Sequence, residues 1–220
     1  MREEIRKAGQ MIINTYGGKY GDTDWTDCKD IEPFSINHTD GFTCTWKDYL
    51  VIAFRGSHGN EDWQDNFTFN KQWMAFADGT EKVHTGFKTQ YFTVQFYLSE
   101  KIKQYNMPKL LICGHSLGGA LASLCALDTN WMAPVTCVTW GSPRVGDQGW
   151  AKLFNKFVPD SLRYVYRNDI VTKVPTLWMN FKHVGNKIHL NPGGGIPGRI
   201  FGAKNDHYPQ HYFKHMMEEI

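Results

Sequence analysis

The chain has 220 residues, 41% of them hydrophobic and 21% charged, a mix that can bury a core and excludes a disordered protein. Its 24 Lys and Arg stand against 22 Asp and Glu, and a formal charge of +2 argues against nucleic acid as the main partner, which needs a concentrated basic face. No apolar run approaches the ~18 residues that cross a bilayer, so no transmembrane segment is expected.

In chain order, Arg2 to Tyr16 carries Ile5, Ala8, Ile12 and Tyr16 on one helical stripe, and Gly17-Gly18 stops it. Residues 19–40 are rich in turn formers. Asp22, Asp24, Asp27 and Asp30 lie there without the Gly and Glu of a calcium loop, so the stretch reads as solvated loop and no metal is expected. Phe42 to Trp46 and Tyr49 to Phe54 flank Lys47-Asp48 and read as a hairpin. Phe87, Tyr91, Val94, Leu98 and Ile102 predict a helix over 86–104. Lys109 to Cys113 is an apolar strand, followed by Gly114-His115-Ser116-Leu117-Gly118-Gly119 and a small-residue helix to about Asp128. Val135 to Thr139 and Leu162 to Tyr166 are further apolar strands, with a helix near Gly149 to Phe157 between them. Gly193 to Gly202 is an irregular loop. Strands alternating with helices predict an α/β fold, a mostly parallel sheet covered on both faces, with residues 1–220 forming a single domain.

The N-terminal Met1-Arg2-Glu3-Glu4 leads into no apolar stretch, so no signal peptide is visible. The five cysteines cannot all pair and none is spaced as CxxC. Cys113, Cys125 and Cys137 sit in apolar runs, where thiols act as small hydrophobes. These features favour a reducing, cytoplasmic setting; a secreted chain trimmed of its leader would read the same way. Aromatic content is high at 15%, and Trp25, Trp63 and Trp73 stand in polar surroundings.

The chemistry gathers at Gly114-His115-Ser116-Leu117-Gly118, a G-x-S-x-G between an apolar strand and a helix. A sharp turn in that context lifts the Ser oxygen above the sheet, at a helix N-terminus that favours developing negative charge. A serine hydroxyl needs a histidine base and an orienting carboxylate, which follow it in the order acid, then His. Asp169 stands just after the strand 162–166, where a parallel strand delivers side chains to a site. Asp128 and Asp160 read as helix-end and turn residues and Asp147 as a helix cap. Of the late histidines, His183 and His189 read as structural. His207, between the Gly-rich loop and the last helix, stands only modestly ahead of His211 by spacing, and His215 is a bystander on that helix.

The sequence resembles the class 3 lipase family through blocks in the family's order. They are Ile52-Ala53-Phe54-Arg55-Gly56-Ser57, Asp62-Trp63, Val83-His84-Thr85-Gly86-Phe87, Gly114 to Ala120, Trp140-Gly141-Ser142-Pro143-Arg144-Val145-Gly146, Asn168-Asp169, and Phe181-Lys182-His183-Val184-Gly185. The resemblance implies an α/β-hydrolase fold and carries over Ser116 as nucleophile, Asp169 as acid and His207 as base, the last through Asp206-His207 followed by Tyr212. It also implies Ser57 and the backbone N–H of Leu117 as oxyanion donors, and residues 58–69 as a lid with Trp63 over the site. The implied activity is carboxylic ester hydrolysis, on acylglycerols first, needing no cofactor or metal. Phospholipase A1 and feruloyl-type esterase are the alternatives on the same machinery, and an inactive hydrolase-fold binding module is the alternative of another class. The implied partners are a lipid or ester substrate and, transiently, a lipid–water interface.

Overall fold

The computed structural model describes residues 2–19, 22–57, 71–73, 81–192 and 205–218. Strands β1 (Cys28–Ile36), β2 (Thr39–Trp46), β3 (Tyr49–Phe54), β6 (Lys109–His115), β7 (Val135–Trp140), β8 (Ser161–Tyr166) and β9 (Asn186–Leu190) form one sheet in the order β1-β2-β3-β6-β7-β8-β9. The first two pairings are antiparallel, and every pairing from β3 to β9 is parallel. Strands β4 (Lys71–Trp73) and β5 (Lys82–His84) make a separate ribbon, which Gly146 bridges to Lys182.

The apolar run of β6 lies between two helical layers and alternates between them. Leu110 and Ile112 pack with Leu50, Ile52 and Phe54 under helices α2 (Thr85–Tyr105), α3 (Leu117–Thr129) and α4 (Gln148–Phe157). Leu111 and Cys113 pack with Val51, Ala53 and Trp140 under α1 (Glu3–Thr15) and α5 (Pro209–Glu218). Each such leucine or isoleucine contributes about 1.5–3 kcal/mol on burial, so the central strand is pinned from both sides. The stripe Phe87, Tyr91, Val94, Leu98, Ile102 is buried as its spacing predicts, and Asn106 ends α2 in the left-handed conformation. Helix α3 is buried almost all round, which its small residues allow. Asp147 caps α4 by accepting from the Trp150 N–H at 3.0 Å.

Two expectations need correction. Residues 28–36, read as part of a solvated loop, form the nine-residue edge strand β1. The cause is pairing with β2: the local turn residues are absorbed by a register shift between Lys29 and Glu32, with Asp30 at φ 51°. Pro33 is tolerated because an edge strand has one unpaired side. Trp25 is not in polar surroundings but meets the Phe42 ring edge-on at 4.8 Å. The lid segment 58–69, Trp63, and the loop 193–202 lie outside the described residues. Cys28, Cys44, Cys113, Cys125 and Cys137 are free thiols; the last four are buried, and burial pushes the Cys137 thiol up to about 12, so these four sulfurs behave as apolar groups.

The structural histidines set a stability dependence. His183 Nε2 donates to the Thr172 carbonyl at 2.7 Å, and burial, with Arg163 nearby, holds its imidazole down at about 3. An unfolded chain protonates it near the ordinary 6.5. Below that pH the unfolded state binds more protons, so stability present above it is lost as pH falls toward the folded value. The loss is on the order of 1 kcal/mol per pH unit for such a group. We expect the melting midpoint to fall between about pH 7 and pH 5. His183→Gln, which keeps a donor toward Thr172, should flatten that slope. Identical slopes in thermal melts of the two proteins would dismiss this role.

Candidate active site

Strands β3, β6, β7 and β8 end at one edge of the sheet, and the turn from β6 into α3 is a single residue, Ser116, at φ 59°, ψ −127°. Such a conformation is costly for a residue with a side chain and persists only where its surroundings over-determine it. Here the Ser116 N–H donates to the Trp140 carbonyl at 2.9 Å and its own carbonyl accepts from the Gly119 N–H at 2.9 Å. The flanking glycines are steric necessities: a Cβ at Gly114 would stand 2.0 Å from the Gly118 carbonyl oxygen, and one at Gly118 would stand 2.4 Å from that of Phe54.

The Ser116 hydroxyl lies 2.8 Å from His207 Nε2, and His207 Nδ1 lies 2.9 Å from Asp169 Oδ2. Three residues separated by up to 91 positions in the chain are thus in line, and all three are buried. Asp169 is held further by the Val171 N–H on Oδ1 at 2.8 Å and by the Tyr212 hydroxyl on Oδ2. A carboxylate only accepts, so Nδ1 carries the proton, and in the neutral ring Nε2 is the acceptor that faces the Ser116 hydroxyl. Gly141, at φ 57°, is needed too, since a Cβ there would come within 2.9 Å of Asp169 Oδ2.

The turn that bears His207 is tied to the strand end that bears Asp169. Asp206 Oδ2 accepts from the Asn168 N–H at 3.2 Å, and its other oxygen faces Arg167 at 3.9 Å. His211, the competitor by spacing, is turned away and stacks on Tyr166 at 5.4 Å. His215 stacks on the other end of that reach, 5.0 Å from the same ring, with its Nε2 at 3.1 Å from the Tyr166 hydroxyl. His189 Nε2 donates to the Arg167 carbonyl at 2.8 Å, a structural place like that of His183.

Ser57 follows Gly56, whose Cα packs against Ser116: a Cβ there would be 3.1 Å from Ser116 Cβ. Leu117 opens α3, so its N–H is among those a helix leaves unbonded at its start. Trp63 lies outside the described residues. Among those described, no group of His, Cys, Asp or Glu is arranged to hold a metal, and no helix is long and apolar enough to cross a membrane.

Sequence reasoning missed three side chains. Tyr212 entered only as a spacing marker, and its hydroxyl, pushed well up by burial and the nearby Asp169 charge, is a donor to the acid. His115 is buried, its ring stacked at 4.8 Å on that of His207 and its Nε2 3.0 Å from the His207 carbonyl oxygen. Tyr16, at the end of α1, reaches His115 Nδ1 at 2.8 Å. The second position of G-x-S-x-G carries no requirement of its own, and only the Asp206-His207…Tyr212 spacing could have pointed to any of the three.

Residues 51–179 match the family model described as lipase (class 3). A lipase of Rhizomucor miehei is 36% identical over 148 residues, 63% of this chain and 40% of that protein. A chloroplastic phospholipase A(1) of Arabidopsis thaliana is 33% identical over 150 residues, 57% of this chain and 33% of that protein. The chain thus spans well under half the length of either relative. The solved structure of Rhizomucor miehei triacylglyceride lipase gives a TM-score of 0.76 at 30% identity, over 85% of this chain and 79% of that one. The mostly parallel sheet with helices on both faces and the sharp turn at Ser116 after β6 is the α/β-hydrolase fold. With more than half of its residues matched by the family model, the chain belongs to the class 3 lipases.

Proposed function

We propose that this protein is a serine-dependent carboxylic ester hydrolase acting on acylglycerols. The observation that carries the reading is the line Ser116–His207–Asp169, closed at 2.8 and 2.9 Å with the tautomer set by the acid. In this reading Ser116 Oγ attacks the ester carbonyl carbon while His207 Nε2 takes its proton. The new C–O bond leaves an oxyanion, received by the N–H groups of Ser57 and Leu117 at the positive end of α3. Asp169 stabilises the imidazolium, which then gives its proton to the departing alcohol, and water repeats the cycle on the acyl-enzyme.

A lipid substrate is supported by the named activities of the relatives and by an exposed apolar surface that follows Asp169 in the chain. Eight residues beyond Asp169, the one-turn helix Leu177–Met179 exposes Leu177 at 58% and Trp178 at 85%. That loop is not loose: Arg144 Nη1 donates to the carbonyls of Lys173 and Pro175, and the Arg144 N–H to that of Val174 at 2.9 Å. A tryptophan held out by a clamped loop is an anchor suited to a lipid–water interface. A phospholipase A1 reading stands second, favoured by the Arabidopsis relative. An inactive binding module would have no use for a buried line in which every proton position is set.

Ser116→Ala should fold normally and lower kcat on p-nitrophenyl butyrate by several orders of magnitude, about 10⁶ at most. His207→Ala should match it, while His211→Ala should cost under about tenfold. Retained turnover in a clean Ser116→Ala protein would end the reading, and a more damaging His211→Ala would shift the base. Parallel assays on emulsified triacylglycerol, phospholipid and feruloyl ester choose the substrate class.

Trp178→Ala should lower the rate on emulsified triacylglycerol at least tenfold, because burying such a ring is worth about 1.5–3 kcal/mol, and leave the soluble ester rate within about twofold. Equal losses on both substrates would make Trp178 part of the fold and not an interface anchor.

A further inference from the structure

From the hydrogen bonds behind the nucleophile we infer that Tyr16 is a positioning residue, whose hydroxyl fixes the loop carrying Ser57 relative to Ser116 and His207. The inference rests on the ester-hydrolase reading and adds a residue outside the stretch 51–179 that the family model matches.

The directions of the bonds follow from the atoms. The His207 carbonyl can only accept, so His115 Nε2, 3.0 Å away, carries the proton and donates. Burial keeps the His115 imidazole neutral by pushing it well below the ordinary histidine range, so its Nδ1 is an acceptor. The Tyr16 hydroxyl, 2.8 Å from that nitrogen, must therefore donate to it. Its oxygen then accepts from the Gly56 N–H at 3.2 Å. A single relay results, running from the Gly56 N–H through the Tyr16 hydroxyl and the His115 ring to the His207 backbone.

The relay acts at the place where placement matters. The Arg55 N–H is already bound to the Asp40 carbonyl at 2.9 Å, so with Gly56 two successive peptide units before Ser57 are fixed. Gly56 is a glycine because the phenol needs the room: a Cβ there would lie 2.5 Å from the Tyr16 hydroxyl and 3.1 Å from Ser116 Cβ. Arg55 closes the other side, its guanidinium 5.3 Å above the Tyr16 ring. One hydroxyl thus sets the gap between the oxyanion loop and the nucleophile, and the same hydroxyl orients the ring stacked on His207. An oxyanion donor displaced by a fraction of an ångström loses most of its advantage in the transition state and little in the ground state.

Tyr16→Phe keeps the ring and removes the hydroxyl. Measured well below its melting point and normalised by active-site titration, it should lower kcat on p-nitrophenyl butyrate about tenfold, with KM within about twofold. The second-order rate of fluorophosphonate labelling should fall by the same factor, because that reaction also builds negative charge at the oxyanion position. A lowered melting point with kcat and labelling rate per folded site unchanged would overturn the inference and leave Tyr16 a structural residue. Should Tyr16→Phe not fold, 3-fluorotyrosine at the same position keeps the size and changes the hydroxyl's acidity. Joint movement of kcat and labelling rate at constant KM supports the relay, and no movement in either overturns it. A wild type that neither labels nor hydrolyses esters would fail the ester-hydrolase reading itself, a result distinct from wild-type behaviour in the variant.

Discussion

Three backbone segments meet at van der Waals limits where β6 turns into α3, and most of the site follows from that crowding. Gly118 lies against the carbonyls of Phe54 and Arg55, Gly114 against Gly118, and Gly119 against the Ser142 side chain. No side chain fits between them, so the helix start is pressed onto the ends of β3, β6 and β7. Pressing it there forces Ser116 into the left-handed region and aims its hydroxyl out of the sheet. The same compression brings Gly56, in the segment after β3, up beside Ser116, whose N–H is held by the Trp140 carbonyl.

At Asp169 the buried charge is met on every side. Asp169 is sealed from water, yet each of its carboxylate oxygens has a donor, from Val171 on one side and from His207 and Tyr212 on the other. An unmatched carboxylate in that place would be strongly destabilising, so these donors are as necessary to the fold as to the chemistry. The two stacked imidazoles answer a related problem. His115 lies face to face with the ring that the proposed mechanism makes cationic, and its own burial keeps it uncharged, so in that mechanism no like charge would oppose the proton on His207.

What could be read from the sequence was local or periodic. The helical stripe from Phe87 to Ile102, the apolar run of β6 and the glycines around Ser116 each state their geometry within one short stretch of chain. The edge strand β1 could not be read that way, because its extended form comes from pairing with β2 against its own Asp- and Pro-rich composition. Spacing also left His207 and His211 nearly equal; they differ in which way the chain turns before α5, toward Ser116 for the one and onto Tyr166 for the other. Tyr16 and His115 are 99 positions apart, and nothing in either neighbourhood announces the other. A hydroxyl that matters through a distant partner leaves no local pattern.

The layout also has a kinetic consequence for how the molecule comes into being. Ser116 sits where β3, β6, β7 and α3 meet, and β6, α3 and β7 follow one another within residues 109–140, whereas His207 comes 91 positions after the serine. Contacts of such long separation form late, because chain closure must precede any reward from them. A chain that has assembled its sheet but not docked α5 has a Ser116 hydroxyl without its His207 partner and an Asp169 lacking two of its donors. In the proposed mechanism such a species has no base for its serine. On that reading, turnover during refolding would mark the docking of α5 against α1 rather than the formation of the sheet.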